Sequence, residues 1–368
     1  MLNHRLVRNL DFVLIAVTLL IIAISLIFIG SATHINSSIE DRYWYVQRQG
    51  AFALINIIVV FWLLHYDYKS LGKMAHVLYG INLVMLLAVM LIGQSALGAQ
   101  RWIQIGPISL QPSEFSKLIM IISLAHILDK RSGQLNTMKD VLPIFIYVGI
   151  PFLLVLKQPD LGTALVFMAI LFGMLFIAGI RMQLLGKIVG AGIAFLPIFW
   201  FFLKDYQKKR LTVFMDPGTD PLGSGYHIIQ SKIAIGSGML YGKGLFSGTQ
   251  SQLNFLPENH TDFIFAVIGE EVGFIGSVLV LALYMLLLYR GVKIAGAARD
   301  NFGTLLAAGI VSMLAFHLLV NVGMTAGIMP VTGIPLPLMS YGISALTTNM
   351  VSLGILLNIY MRRQKIMF

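Results

Sequence analysis

The sequence contains no cysteine and few charged residues, and both absences narrow the possible classes of protein. Without cysteine, disulfides and cysteine-based metal or redox sites are excluded. Charged residues make up 11% of the chain and hydrophobic residues 57%, whereas an ordinary soluble domain has about 25% charged residues. This composition is typical of an all-α, polytopic membrane protein in which lipid replaces water as the solvent.

Several common functional motifs are also missing. There is no HExxH zinc motif and no GxSxG nucleophile motif, so hydrolytic metal or nucleophile chemistry has no support. The glycine-rich stretches at 236–238 and 242–244 are not followed by Gly-Lys-Ser/Thr or preceded by a strand, so nucleotide binding is rejected. The net charge of +10 rests on too few charged residues to form a basic face, which argues against nucleic acid as a partner.

Ten apolar segments are long enough to cross a hydrocarbon core of about 30 Å as helices. A secretory signal peptide is the alternative for the first of them, but its apolar run is too long and no small-x-small cleavage site is evident. The predicted spans are 12–30, 46–66, 74–93, 113–129, 140–157, 161–180, 183–203, 262–289, 302–325 and 342–361.

Lysine and arginine collect on one side of these spans. Because basic residues resist translocation, that side is predicted to be cytoplasmic, and both termini lie on it. The other short loops contain only Arg42, Arg101 and Lys157. The basic residues of the rich side are Arg5, Arg8, Lys69, Lys73, Lys130, Arg131, Lys139, Arg181, Lys187, Arg290, Lys293, Arg299, Arg362, Arg363 and Lys365.

A long segment at about 204–261, between the seventh and eighth helices, is the one sizeable piece predicted outside the membrane, on the extracytoplasmic side. It is rich in glycine and turn signals and contains an amphipathic stretch at 226–235 that would suit the membrane interface. We expect it to fold back onto the outer mouth of the bundle, because it is too poor in aromatic residues to form a core of its own. Residues 1–368 are therefore predicted to form a single domain.

Charged residues inside apolar segments are costly, at about 2.5–3.5 kcal/mol or more at the centre of a bilayer helix. The charged residues inside the predicted spans all lie toward the outer half of the membrane, so together they could line one polar cavity. Two alternatives stay open: Glu114 and Lys117 could simply neutralise each other, and Arg48 could extend to the interface. The full set is Arg48, Glu114, Lys117, Asp262, Glu270 and Glu271.

Asp262 is the strongest catalytic candidate. It stands at the start of a spanning helix, followed by aromatic residues, where Thr261 could cap the helix in its place. Ser113 and Asp160 also stand at helix starts, and capping alone would explain them. His260 by itself is more typical of a loop or interface histidine than of a ligand.

Six groups of residues occur in order along the chain. They are GAQRWI at 98–103, QPSE at 111–114, QPDLGT at 158–163, DPLGSGYHIIQS at 220–231, PENHTDFIF at 257–265 and PLPLMSYG at 335–342. With these motifs the chain resembles the SEDS family of membrane glycosyltransferases from bacterial cell-wall synthesis, over nearly its whole length. The stretch at 225–231 is similar to the elongation branch rather than the division branch, while Asn259 stands where that branch often has arginine.

The resemblance implies an enzyme that polymerises lipid II, the undecaprenyl-diphosphate-linked disaccharide pentapeptide. The reaction would occur during cell elongation, at the outer face of the bacterial cytoplasmic (inner) membrane. The implied partners are a class B penicillin-binding protein transpeptidase and other membrane proteins of the elongation machinery. No cofactor is implied with certainty, and a divalent cation at the diphosphate is left open.

The resemblance also implies roles for particular residues. Asp262 matches the family's essential aspartate and is the expected general base, because a sugar hydroxyl is a weak nucleophile. The diphosphate leaving group needs cations rather than an acid, and an α-linked donor that gives a β-linked product implies inversion. The expected substrate-binding residues are Arg48, Arg101, Glu114, Lys117, Asp160, Arg210 and His260, with no metal ligands. The segments 204–261 and 326–341 are expected to form a mobile rim around the sugars.

Two other functions compete with polymerisation. A flippase that moves lipid II across the membrane would need ionisable groups near the bilayer midplane that are reachable from both sides, whereas the acids here cluster toward the outer face. A scaffold that only holds partner helices leaves an exposed Asp262 without an explanation.

Overall fold

The structure is a computed structural model that describes residues 8–35, 42–96, 99–106, 108–202, 205–221 and 223–363. Among the residues used above, Arg5, Gly98, Lys204, Leu222 and Lys365 lie outside these ranges.

Ten long helices dominate the described part of the chain. We number all helices in chain order, so that short helices between the long ones take numbers too. The long helices are α1 (Phe12–Thr33), α2 (Trp44–Leu63), α4 (Ala75–Ile92), α5 (Pro112–Lys130), α6 (Met138–Lys157), α7 (Leu161–Ile177), α8 (Met182–Phe202), α12 (Ile264–Ala297), α13 (Asn301–Thr325) and α14 (Ile343–Met361). The shorter helices are α3 (Lys69–Lys73), α9 (Asp205–Met215), α10 (Ser224–Ser237) and α11 (Thr249–Gln252).

Each predicted span coincides with one of the long helices, most within three residues at either end. Seven of the helices, namely all but α5, α7 and α8, are long and apolar enough to cross a membrane by length and composition. Helix α7 has 17 residues, and the first turns of α5 carry Glu114 and Lys117. The chain is therefore a multi-pass membrane protein. Helix α13 packs against α12, α7 and α5 and lies at the centre of the bundle.

Helix α12 differs from its prediction because it is interrupted. Gly273 has a left-handed backbone (φ 64°), which glycine adopts at little cost, and the helix then continues to Ala297. A Cβ at Gly273 would lie 2.4 Å from the backbone nitrogen of Gly242, so a loop of the long segment passes directly against the break.

Two buried acids, Glu270 and Glu271, hold the region around the break in place. The buried carboxylate of Glu270 accepts hydrogen bonds from Lys243 Nζ (2.8 Å) and from the backbone nitrogen of Gln250 (2.9 Å). Glu271 accepts a hydrogen bond from the hydroxyl of Ser31 on α1. Glu270 thus fastens the loop to the bundle and Glu271 joins α12 to α1, and neither acid lines the cavity that contains Asp262.

The fold is mostly helical, as predicted, but it also contains one small sheet that was not predicted. Strands β1 (Gln94–Ala96), β2 (Ala99–Ile105) and β3 (Ile108–Leu110) form an antiparallel sheet in the order β1-β2-β3. The register pairs Ile103 with Leu110 and Ile105 with Ile108. The strands are short and their sequence alternates weakly, so the connection between two apolar helices gave no strand signal.

The long segment folds back onto the bundle, as predicted, but it does so as helices. Helix α10 contains the amphipathic stretch 226–235 and packs on α12 and α13, where the hydroxyl of Ser231 donates to the carbonyl of Thr325 (2.7 Å). Helix α9 packs on α10, and α11 contacts α1.

Residues 332–341, the larger part of the segment 326–341, are packed against the bundle where a mobile rim was expected, whereas Ile328 before them is 71% exposed. Leu336, Leu338 and Met339 are at most 2% exposed. Three helices hold backbone carbonyls of these residues: Tyr284 donates to Pro337 (2.6 Å), Ser25 to Met339 (2.7 Å) and Gln49 to Ser340 (3.2 Å). Residues 332–341, here called the packed segment, are therefore part of the bundle and present their other side to a cavity.

Candidate active site

A cavity of about 220 Å³, here called the Asp262 cavity, forms where one end of the bundle meets the long segment. Its walls come from β2, α9, the turn before α12, the packed segment and the starts of α5 and α14. The lining residues are Arg101, Trp102, Gln111, Arg210, Glu258, Thr261, Asp262, Thr332, Gly333, Pro335, Tyr341, Gly342, Ser344 and Ala345.

Asp262 is fixed in this cavity through its backbone. The side-chain amide of Asn321, on α13, donates to the carbonyl oxygens of Asp262 (2.9 Å) and Ile334 (2.8 Å). Gly333 lies against the carboxylate, and a Cβ at this glycine would stand 3.3 Å from Asp262 Oδ2. The carboxylate is therefore held next to open space, with one wall made of bare backbone.

The environment of Asp262 tunes it toward proton transfer. Burial raises the pKa of Asp262 to about 6, and the nearby negative charge of Glu258 acts in the same direction, whereas Arg101 and Arg210 oppose it. A carboxylate with a pKa close to the working pH is largely ionised at neutral pH and yet basic enough to take a proton. The geometry thus supplies a general base in a cavity that also contains cations.

Two arginines face the same cavity. Arg210 projects from α9 and Arg101 from β2. Arg101 is held in place because it donates to the carbonyl of Pro159 (3.0 Å) and lies 3.8 Å from the carboxylate of Asp160. Asp160 itself is buried and caps α7 by accepting from the backbone nitrogen of Thr163 (3.0 Å). Asp160 therefore acts as a cap and as an anchor for Arg101, and it does not line the cavity.

Three helix N-termini also meet at the cavity. The capping positions of α5, α12 and α14 are Gln111, Phe263 and Gly342, and the backbone nitrogen of Gln111 donates to Ser344 on the first turn of α14 (2.9 Å). The unpaired N–H groups and positive dipole ends of helix N-termini favour anions. Together with the two arginines they make this end of the bundle suited to a phosphate group.

Glu114 and Lys117 lie outside this cavity, which corrects their expected place at the diphosphate. Lys117 is 2% exposed, and its Nζ contacts Glu114 Oε1 (2.8 Å) and His317 Nε2 (3.1 Å). His317 in turn contacts the carbonyl of Pro335, a cavity-lining residue, through Nδ1 (3.2 Å). The expected pairing of Glu114 with Lys117 is thus observed, and the pair supports the packed segment from behind.

Arg48 and His260 lie behind one wall of the cavity rather than on its surface. The guanidinium of Arg48 stacks over Trp44, 4.5 Å from the ring centre, and its charge acts on Tyr341. The ring of His260 packs against Tyr45 (4.7 Å) and Tyr341 (5.7 Å). Burial lowers the pKa of His260, which favours the neutral ring. His260 packs against Tyr341 and does not line the cavity, which corrects the substrate-binding role that the resemblance implied and agrees with its residue type alone.

Sequence reasoning missed several cavity residues. Glu258 is a second carboxylate in the cavity, and Thr261 donates its hydroxyl proton to it (2.9 Å). Its spacing of four residues from Asp262 was visible, but the turn that brings both to one cavity was not. Tyr341 and Thr332 come from the packed segment. Asn321, which holds the cavity together without lining it, comes from the last two turns of the apolar helix α13. Such ordinary polar residues carry no signal in a single sequence.

Comparison with known proteins agrees with this architecture. A family model described as a cell cycle protein family, FTSW_RODA_SPOVE, matches residues 11–365. The chain belongs to this family. The match confirms the resemblance that the motifs indicated. One curated relative of the chain is the peptidoglycan glycosyltransferase MrdB of Escherichia coli K12. It is 43% identical over 349 residues, which are 94% of either chain.

Solved structures share the fold of this family member. A chain from a study of the structural coordination of polymerisation and crosslinking by a peptidoglycan synthase complex aligns with a TM-score of 0.81 and 30% identity. The alignment covers 95% of this chain and 97% of that one. The rod shape determining protein RodA of Thermus thermophilus aligns with a TM-score of 0.72 and 29% identity, over 97% and 98% of the two chains.

Proposed function

We propose that this membrane protein is a peptidoglycan glycosyltransferase that polymerises lipid II during cell elongation. The observation that carries the proposal is the position of Asp262, a carboxylate with a raised pKa in one cavity with Arg101 and Arg210. A relative with 43% identity is named a peptidoglycan glycosyltransferase, and a structural neighbour is named for rod shape determination. Both names support this substrate and the elongation role.

The first chemical step is activation of the acceptor sugar. Asp262 takes the proton of the acceptor 4-hydroxyl while the oxygen of that hydroxyl attacks the anomeric carbon of the donor. The attack comes from the face opposite the diphosphate, so the α-linked donor yields a β-1,4 bond in a single displacement. No second carboxylate is needed as nucleophile, which distinguishes this arrangement from that of a retaining glycosidase.

The second part of the chemistry is stabilisation of the leaving diphosphate. Negative charge grows on the diphosphate oxygens as the bond to the sugar breaks, and Arg101 and Arg210 are the cations that line the cavity to meet it. The N-termini of α5, α12 and α14 add positive potential at the same place. Arg48 and Lys117 would act at longer range, since neither lines the cavity.

A divalent cation would be carried mainly by the diphosphate itself. Glu258 and Asp262 are the carboxylates that line the cavity and could add oxygen ligands. In the described part of the chain, no group of three His, Asp or Glu side chains could hold a metal ion by itself. Such an ion would offset charge on the diphosphate, while Asp262 remained the base.

We infer that all ten long helices cross the membrane, with both termini in the cytoplasm and the Asp262 cavity at the outer face of the cytoplasmic membrane. Basic residues concentrate at the opposite end of the bundle from Asp262, which supports this orientation. The polyprenyl tail would lie along the lipid-facing helices. A class B penicillin-binding protein is the proposed partner, and the synthase complex found as a structural neighbour supports it.

The test is a reconstitution that distinguishes polymerisation from transport. The purified protein with its transpeptidase partner is incubated with fluorescent lipid II in liposomes. Polymer length is read on gels, and access of lipid II to an external quencher is read in parallel. The proposal expects glycan polymer without movement of lipid II between leaflets. Movement between leaflets without polymer would establish the flippase instead.

A further inference from the structure

A second cavity, of about 330 Å³, lies at the end of the bundle opposite Asp262. It contacts the last turn of α5, whose first turn borders the Asp262 cavity, so about 27 Å of helix separates the two. We call it the Arg131 cavity. Its polar lining consists of His76, His126, Lys130, Arg131 and Tyr147, and the remaining lining is apolar.

The charged side chains that line this cavity are all positive. Lys130 and Arg131 line it, and no carboxylate does. The two nearest acids in sequence lie outside its lining, although their charges interact with His126 and Arg131. Asp129 lines a neighbouring cavity with Lys69 and Lys73, and the carboxylate of Asp140 caps α6 by accepting from Thr137 N (2.8 Å). A bound ammonium group would therefore find no carboxylate partner in the Arg131 cavity, whereas an anion would meet two cations.

Arg131 is held in a fixed position. Its Nη1 donates to the backbone carbonyl of Asp140 (2.9 Å) at the start of α6. Basic residues at the end of α5 would be favourable for the dipole of that helix alone. The helix dipole does not explain the contact to α6. That contact holds the guanidinium across the cavity and leaves its other donors for a ligand.

Tyr147 offers a further donor. Its ring stacks on Tyr79, with the ring centres 3.8 Å apart, and the Tyr79 hydroxyl donates to the Tyr147 carbonyl (2.8 Å). The Tyr147 hydroxyl is buried beside the side chain of Ser123, but no described residue makes a hydrogen bond of good geometry with it. A buried hydroxyl without a partner is unfavourable, and an acceptor oxygen in the cavity would satisfy it.

The surroundings of the cavity identify the kind of ligand. The exposed face of α4 carries Val77 and Ile81, and that of α6 carries Leu142 and Ile146, all between 47% and 61% exposed. These apolar surfaces face lipid acyl chains in a membrane protein. A ligand with a phosphate at the helix ends and hydrocarbon along both helices would match the whole region, and basic pockets between spanning helices bind anionic lipid headgroups in this way.

We propose that the Arg131 cavity binds the phosphate of an anionic glycerophospholipid from the leaflet opposite the Asp262 cavity. Lys130 and Arg131 pair with the phosphate, His76 and His126 border it, and Tyr147 donates a hydrogen bond. The proposal is independent of the glycosyltransferase reaction, because no residue of this cavity contacts the Asp262 cavity.

The test measures lipid binding to the purified full-length protein in detergent by native mass spectrometry. Dioleoyl phosphatidylglycerol is titrated against dioleoyl phosphatidylcholine. Wild-type protein is expected to prefer phosphatidylglycerol. The double variant Lys130→Gln, Arg131→Gln is expected to lose affinity for it by roughly 30-fold, since each basic residue near an anionic headgroup contributes about a five-fold factor.

Two controls make the result specific. The double variant Arg181→Gln, Lys187→Gln removes the same charge from exposed positions at the same end of the bundle and should leave lipid binding unchanged. Tyr147→Phe keeps the ring stack and removes only the hydroxyl, so it should weaken phosphatidylglycerol binding several-fold even if the double variant does not fold. A photoactivatable phosphatidylglycerol should crosslink wild-type protein at peptides that contain His76 or Tyr147.

Three results would overturn the proposal. One is equal affinity of wild-type protein for the two lipids. Another is an equal loss of affinity in the Arg181, Lys187 control, which would mean that general surface charge attracts the lipid. The third is displacement of phosphatidylglycerol by a similar concentration of glycerol 3-phosphate, which would make the site one for a soluble phosphate.

Discussion

Asn321 joins the catalytic candidate Asp262 to the packed segment, because its single amide nitrogen donates to the carbonyls of Asp262 and Ile334. The two backbones therefore keep a fixed separation at the cavity. We expect Asn321→Ala to lower the polymerisation rate roughly 100-fold, because it frees the backbone that positions Asp262. It should also cost about 2–4 kcal/mol of stability, because it leaves one buried and one part-buried carbonyl unpaired. Polymer synthesis and thermal unfolding in detergent measure the two effects.

Asn358 provides a matched control for this variant. Its amide nitrogen also donates to two carbonyls, those of Leu63 (3.0 Å) and Tyr66 (2.8 Å), at the opposite end of the bundle. Because Asn358 Oδ1 also accepts from Arg362, Asn358→Ala should lose at least as much stability, yet it should keep its polymerisation rate at permissive temperature. If both variants lost activity in proportion to their stability, Asn321 would have no positioning role.

Glu258 should raise the pH at which the enzyme becomes active, because its charge adds to the effect of burial on the pKa of Asp262. Burial is the main cause that raises the pKa of Asp262 to about 6, and Glu258 raises it further. In Glu258→Gln the pKa of Asp262 therefore falls, and the acidic limb of the pH profile of kcat/KM should move to lower pH. Asp216→Asn, which removes an acid of the same segment outside the cavity, should not move it. An unshifted limb in Glu258→Gln would mean that another group titrates.

Arg210 should act on the chemical step rather than on folding. A charge-assisted contact to the leaving diphosphate contributes about 1.5–3 kcal/mol, so Arg210→Gln is expected to lower kcat by about 10–100-fold. Lys209→Gln is the control on the same helix, because Lys209 pairs with Asp220 (2.9 Å) and does not line the cavity. Steady-state kinetics with lipid II separate kcat from KM. A rise in KM alone would assign Arg210 to substrate binding only.

Asp262 should reduce the stability of the folded protein at neutral pH. Its pKa is about 6 in the folded protein against an ordinary value of 3.8, so an ionised carboxylate disfavours folding above pH 6 by about 1–3 kcal/mol. We expect Asp262→Asn to unfold at a higher temperature than wild type at pH 7.5. The difference should shrink as the pH falls from about 6 to about 4, because the wild-type carboxyl then becomes protonated. A constant difference would contradict the raised pKa.

Much of the fold could be predicted from the sequence because the membrane imposes a simple rule. Runs of about 20 apolar residues must form helices there, and each predicted span coincides with one. The same rule could not predict the break at Gly273, since a glycine inside an apolar run is common. Nor could it distinguish the packed segment around Leu338 from an exposed loop, because the hydrogen bonds from Ser25 and Tyr284 come from distant helices.

The candidate site was predictable in part. Asp262, Arg101 and Arg210 were expected at the site and line one cavity. The cost of a charge inside the membrane also indicated Lys117, but that cost is relieved equally well by a buried pair, and Lys117 pairs with Glu114. The positions of the charges along the sequence cannot distinguish a cation that faces the substrate from one that is buried in an ion pair. Glu258 and Tyr341 reach the cavity through turns and long-range packing, which a local pattern does not contain.

The central claim is that the carboxylate of Asp262 is the base that activates the acceptor sugar. Polymer synthesis by Asp262→Asn, in complex with the transpeptidase partner and with thermal unfolding as the check on folding, tests it most directly. Asparagine keeps the shape of the aspartate side chain and leaves the hydrogen bond from Asn321 to the backbone carbonyl of residue 262 in place, but it cannot take the proton. We predict a folded complex that makes less than about one-hundredth of the wild-type polymer, in line with the contribution of general base catalysis. Wild-type amounts of polymer from the folded variant would contradict the account.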